Sequence, residues 1–200
     1  MFRGKQDAKT WKKWIWTALI IAWMAVIFSF SAQPADESSQ TSLGVGEVFA
    51  RIFVPDFEEL SSEEQMAYME KIDHPVRKLG HASEYAVLGF LAVFTVSAYG
   101  GRGKRMMVLT WAACTLYAAS DEFHQLFVPG RSGHVTDVMI DSGGVLVGML
   151  AAGVVIGGVK LWRNKREQRI SAEENHGKEK GTDFDENAAK PGRAAGENGI

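Results

Sequence analysis

From Trp14 to Ser31 the chain carries no charged side chain, and just before that run stand Arg3, Lys5, Lys9, Lys12 and Lys13 against a single acid, Asp7. Wound as an α-helix, such a run is long enough to cross a hydrocarbon core of about 30 Å, where every backbone polar group must be paired within the segment. Three more apolar stretches follow: 82–99, broken by Glu84 near its start, then 106–120, then 138–162, with Asp141 near its beginning. The chain therefore reads as an all-α integral membrane protein, a four-transmembrane-helix bundle with spans at about 14–31, 82–99, 106–120 and 138–162. A secretory signal has the same basic-then-apolar order. Its apolar region, however, is only ~7–15 residues and ends in small-x-small, a rule that Phe30-Ser31-Ala32 fits poorly, so the first run reads as an uncleaved span.

Between the first two spans, residues 32–78 are polar and carry more Asp and Glu than Lys and Arg. Val45, Val48, Phe49, Ile52 and Phe53 recur at helical spacing, which predicts a short amphipathic helix on the membrane or the bundle, ended by Pro55. Ser61 with Glu64 three residues on reads as a capping box opening a second short helix that stops near His74-Pro75. Beyond the fourth span come Lys160, Arg163, Lys165, Arg166 and Arg169, and then a stretch nearly free of aromatic and branched apolar residues. Such a composition cannot bury enough surface to fold, so 163–200 reads as a disordered tail.

Lys and Arg cluster beside the apolar runs: in 1–13, in the turn Gly100-Gly101-Arg102-Gly103-Lys104-Arg105, and after Trp162. The positive-inside rule places these three segments, and so both termini, in the cytoplasm, with 32–78 and 121–137 outside the cell. Trp11, Trp14, Trp16 and Trp162 would then form an aromatic belt at the inner interface. A net charge of -2, with basic residues only in these short clusters, excludes a nucleic-acid-binding face. The lone cysteine, Cys114, lies inside an apolar run and excludes an intramolecular disulfide.

This topology brings distant polar residues to one depth. Glu84 at the start of span two, Asp121 at the end of span three and Asp141 at the start of span four lie roughly 22 to 30 Å from the cytoplasmic ends, at 1.5 Å per residue. His81 and His124 fall in the same layer. His81, Glu84 and Tyr85 share one helix face, as do Asp121, His124 and Gln125. Asp137 and Asp141, at i and i+4, repel one another unless a cation, Arg131, a His or a divalent metal stands between them. Pro129-Gly130 supplies the turn between spans three and four. Gly144 and Gly148 continue to Ala152 as a small-residue face for close helix packing, within the chain or in a homo-oligomer. The polar site thus sits at the outer end of helices two to four.

With these elements assembled, the chain resembles the VanZ-like family of small bacterial membrane proteins. The matching residues are Ile27-Phe28-Ser29-Phe30-Ser31-Ala32-Gln33-Pro34, then Lys78-x-x-His81-x-x-Glu84-Tyr85-x-x-Leu88-Gly89, then Ser120-Asp121-Glu122-Phe123-His124-Gln125 running into Pro129-Gly130-Arg131 and the Asp137/Asp141 pair. They span about residues 14–160, and the third is the most specific. The acidic stretch from Asp56 to Asp73 and the charged tail lie outside the match. The resemblance implies a four-helix membrane domain in the bacterial plasma membrane and an association with low-level resistance to teicoplanin-type glycopeptides. It implies no settled reaction.

Three readings of the polar layer stay open. It is a hydrogen-bonded clasp, or a site for an anionic lipid or lipid-linked cell-wall precursor head group, or a catalytic centre. In the second, Arg131 binds phosphate bidentately, with His81, Gln125 and Lys78 completing the set. In the third, His124 is general base or nucleophile, Asp121 or Glu84 orients it, and Asp137 with Asp141 holds a divalent cation. Arg131-Ser132-Gly133-His134 is similar to part of the lipid phosphate phosphatase signature, whose remainder is absent here. The corresponding functions are an outer-leaflet binding or accessory protein, an intramembrane hydrolase or transferase acting on a lipid-linked phosphate, and a structural partner of another membrane protein.

Overall fold

In a computed structural model, residues 3–188 are described, with side chains for 10–172. The side chains of Arg3, Lys5 and Lys9, and residues 189–200 of the expected tail, lie outside that range. The described chain is helical: α1 (Arg3–Ser31), α2 (Ala35–Phe53), a single 3-10 turn (Phe57–Glu59), α3 (Ser62–Ala98), α4 (Lys104–Gln125) and α5 (Val135–Ala188). Three helices are long and apolar enough to cross a membrane, at Thr10–Ser31, Ser62–Ala98 and Val135–Ala172. The 22 residues of α4 have the length, but Asp121 and Glu122 near its end lower its mean hydropathy. Apolar side chains such as Leu19, Phe28, Leu109, Leu116, Val147 and Leu150 point outward. This is the exterior of a membrane-embedded protein.

The amphipathic helix predicted around Val45 to Phe53 exists and begins earlier, at Ala35. Ser61 caps α3 in a complete capping box with Glu64. The expected break at Pro75 does not occur. The predicted short helix and the second span are one helix of 37 residues with Pro75 inside it. Pro75 removes one backbone hydrogen bond, but side chains brace the helix across it. Asp73 pairs with Arg77 one turn on, and both reach α2, Asp73 through Ser42 and Arg77 through Ser39.

Within residues 1–154, which form one compact unit, the core is Ile27, Tyr85, Leu88, Ala92, Cys114, Ala118 and Val145. Lipid gives helices little hydrophobic reason to associate, so close contact between small residues and interhelical hydrogen bonds must hold them together. Both are present. A Cβ built on Gly89 would lie 2.3 Å from the Val145 carbonyl oxygen, one on Gly144 2.2 Å from that of Ala82, and one on Gly148 1.7 Å from that of Ala86. Helices α3 and α5 therefore meet backbone to backbone. Of the two uses expected for the Gly144/Gly148 face, the packing within the chain is the one seen, against α3.

Aromatic and hydroxyl side chains tie the other pairs. The Trp23 indole donates to the Glu84 carbonyl (2.9 Å) and the Tyr117 hydroxyl to that of Met24 (2.7 Å). The Trp111 indole reaches the Ser142 carbonyl (3.3 Å), and Thr115 pairs with the Ser142 hydroxyl (3.0 Å).

The second unit begins at Val155, and its described residues, 155–188, are the later part of α5. Composition predicted disorder beyond Trp162, whereas the backbone is helical to Ala188. Good helix formers and the Arg163–Glu167 pair at i and i+4 (3.7 Å) account for the local winding. Its described side chains, 155–172, are all exposed, so this unit has no core of its own there.

Candidate functional site

The site begins where α1 stops. Helix C-termini leave carbonyls without intrahelical partners, and here Arg131 collects them. Its Nε donates to the Gln33 carbonyl (2.9 Å), Nη2 to that of Phe30 (3.2 Å), and Nη1 to the Gln125 side-chain oxygen (3.3 Å). The Ala35 amide donates in turn to the Pro129 carbonyl (3.2 Å). Gly130 makes this approach feasible: its φ is +75°, and a Cβ there would stand 3.0 Å from that of Ala35. Loop 126–134 is thus fastened to the α1–α2 corner. Burial pushes the Arg131 guanidinium below its usual pKa and Arg77 adds to this, while Asp121, Glu122 and Glu84 pull it back up. An arginine so placed stays charged.

The same loop is fastened to α4. Buried Glu122 accepts the His134 backbone amide (2.7 Å) at the start of α5, where a carboxylate also meets the positive end of the helix dipole. Glu122 has no role among the sequence-based expectations. Its signal was adjacency: Asp121 and Glu122 point to different sides of one helix, so each needs its own partner.

Below this corner lies a layer of buried polar atoms that make no hydrogen bond within the protein. They are Ser31 Oγ from α1, Glu84 Oε2 from α3, His124 Nε2 from α4 and Asp141 Oδ1 from α5, with the Tyr85 hydroxyl against the Asp121 carboxylate among them and Arg77 Nε two turns away from Glu84 along α3. Glu84 and Asp141 both lie within electrostatic reach of Asp121, and so does the Tyr85 hydroxyl. An unpaired polar group in apolar surroundings costs roughly 1–3 kcal/mol. So many in one layer call for water or a bound polar group to serve them.

The predicted residues are brought together, with partners that differ from those expected. Asp137 pairs with Lys78 (2.7 Å). That contact relieves its repulsion from Asp141 and commits the Lys78 ammonium to a protein carboxylate. Among the described residues no three His, Cys, Asp or Glu side chains form a group that could hold a metal ion. His124 stacks on Phe28, ring centroids 4.6 Å apart, and no described carboxylate hydrogen-bonds its ring. His81 Nδ1 stands 3.8 Å from Glu84 Oε2, an approach rather than a hydrogen bond.

Beside the layer is a cavity of about 210 Å³ between the end of α1, α2 and α3, lined by Gln33, Ser42, Arg77, His81, Glu84 and Arg131 among others. Arg77 was missed at the sequence level. Its spacing was legible, since 77, 81 and 84 follow i, i+4, i+7 and share a face, but the expected helix break at Pro75 hid it.

A family model described as VanZ/LLP1 matches residues 16–156, well over half of the chain and every element of this layer. No curated protein matches the chain, and neither does any solved structure.

Proposed function

The chain belongs to the VanZ/LLP1 family, and from that premise we propose that it is a multi-pass protein of the bacterial plasma membrane that binds an anionic lipid or envelope-precursor head group at the outer leaflet. Its role is in low-level resistance to teicoplanin-type glycopeptides. The observation that carries this reading is the cavity rimmed by Arg77, His81 and Arg131, next to a layer of unpaired buried polar atoms. Arginine matches the planar geometry of phosphate and carboxylate oxygens, and polar side chains at the end of a membrane bundle are too costly to be incidental.

In this reading α4 also crosses the membrane, as the third of four spans. Its hydrogen bonds to α1 through Tyr117 and to α5 through Trp111 and Thr115 support a place inside the bundle. The bias of Lys and Arg toward 1–13, 102–105 and the segment after Trp162 supports cytoplasmic termini. Alkaline phosphatase fused after Pro55 is expected to be active and the same reporter after Lys104 silent. The reverse pattern would move the site to the cytoplasm.

A second reading, hydrolysis or transfer at a lipid-linked phosphate, is favoured by one contact. The His81–Glu84 approach of 3.8 Å, inside the same cavity, needs little movement to become an acid–base pair. Incubating the purified full-length protein with polyprenyl-phosphate lipids, with and without EDTA, separates the two. Saturable binding without phosphate release is expected. Release would convert the binding protein into an enzyme, and the absence of both binding and release would end the head-group reading. The structural-partner reading has lost the small-residue face that motivated it.

A further inference from the structure

The head-group cavity is not isolated. Val45, Val76 and Gly80 also line a second, larger cavity of about 820 Å³ that runs on between α2 and α3. Its remaining wall is almost wholly apolar, with Phe49, Phe53, Tyr68, Ile72 and Leu79 the largest contributors. This explains an otherwise costly feature of α2: Val45, Phe49 and Phe53 are exposed although the helix belongs to a polar segment. Apolar groove and cationic cavity thus adjoin across a shared wall of Val45, Val76 and Gly80, one oily and the other charged.

We propose that the two together seat a single-chain lipid phosphate, its hydrocarbon chain between α2 and α3 and its phosphate held by Arg77, His81 and Arg131. The inference rests on the reading that the polar cavity takes an anionic head group, and it adds the class of molecule. Charge complementarity selects an amphiphile over a peptide helix, because the cationic residues are gathered at one end only. The head cavity, at about 210 Å³, suits a compact head. Glu84 on its wall opposes further negative charge, so one phosphate is favoured over two. Arg77 is well placed to hold that phosphate, since its Nη2 is fixed by Ser39 (2.8 Å) and by Asp73, while its buried Nε has no partner in the protein.

The test uses the full-length protein in phosphatidylcholine nanodiscs, titrated with hexadecyl phosphate, inorganic phosphate or hexadecanol and followed by thermal stabilisation and by the phosphorus NMR signal. Hexadecyl phosphate is expected to bind at least tenfold more tightly than inorganic phosphate, and hexadecanol to bind weakly. Gly80→Phe fills the junction of the two cavities, where a Cβ meets nothing within 4 Å, and should remove the tenfold advantage. Ser83→Phe obstructs the groove from an exposed position, so it covers the case in which Gly80→Phe fails to fold. It should lose the advantage too while keeping inorganic phosphate binding within twofold. Arg77→Gln should weaken both phosphates. If Ser83→Phe and Gly80→Phe bind hexadecyl phosphate like the parent while Arg77→Gln does not, the head-group reading survives and the groove assignment fails. Hexadecanol binding as tightly as hexadecyl phosphate would also overturn the proposal. If the parent protein binds neither phosphate, both fall together.

Discussion

Replacing Gly148 by leucine is expected to remove the folded bundle from the membrane. Even a methyl group at this position would stand 1.7 Å from the Ala86 carbonyl oxygen and 2.9 Å from the Phe90 nitrogen, both backbone atoms of α3. Backbone cannot swing aside as a side chain does, so α3 and α5 must separate. The separation also loosens the neighbouring contacts at Gly144 and Gly89. Overpacking of this kind costs about 3 kcal/mol, a large share of the stability of a typical domain. Gly153→Ala on the same helix is the control, because a Cβ there meets nothing within 4 Å. Loss of the monodisperse peak in detergent for Gly148→Leu, with Gly153→Ala unchanged, is the expected result. An unchanged melting temperature for Gly148→Leu would refute the α3–α5 contact.

If the proposed role in glycopeptide resistance holds, Asp121→Asn, Asp141→Asn and His124→Gln are expected to abolish it while leaving the protein inserted and folded. Asp141 and His124 each present a buried polar atom with no partner in the protein, Asn at 121 keeps an oxygen that can still accept from the Tyr85 hydroxyl, and His124→Gln gives up only the stacking on Phe28. Arg131→Lys should behave differently. The guanidinium holds Phe30, Gln33 and Gln125 at once, and a lysine cannot reproduce that fork. Loss of these bonds should lower stability by about 1–3 kcal/mol together with function. Thermal unfolding in detergent and the inhibitory concentration of teicoplanin, measured for all four variants, decide the matter. If the three buried substitutions lose stability and phenotype in proportion, the layer is a structural clasp. If they lose only phenotype, it is a site. A further split, in which His124→Gln keeps lipid binding but stops turnover, would make it catalytic.

These contrasts follow the line between local and long-range information. Helix positions, the Ser61–Glu64 capping box, the Pro129-Gly130 turn and the run from Ser120 to Gln125 were legible because each depends on residues within a few positions of one another. The convergence of Glu84, Asp121, His124 and Asp141 was legible too, since apolar runs of fixed rise set a common depth. What the sequence could not specify was pairing. Whether Asp137 turns to Asp141 or to Lys78, and whether Arg131 faces a ligand or the end of α1, depends on which helices lie side by side. That arrangement is set by where backbones can approach, at Gly89, Gly144 and Gly148. The continuity of α3 through Pro75 has the same origin, because local propensity favours a break and only contacts with α2, through Ser39 and Ser42, supply the compensation. From sequence alone, then, the chain is a family member with long apolar helices and polar residues gathered near their ends. Tertiary structure alone decided which of those polar groups are engaged with one another and which, like Arg77 Nε and Asp141 Oδ1, are left for something else.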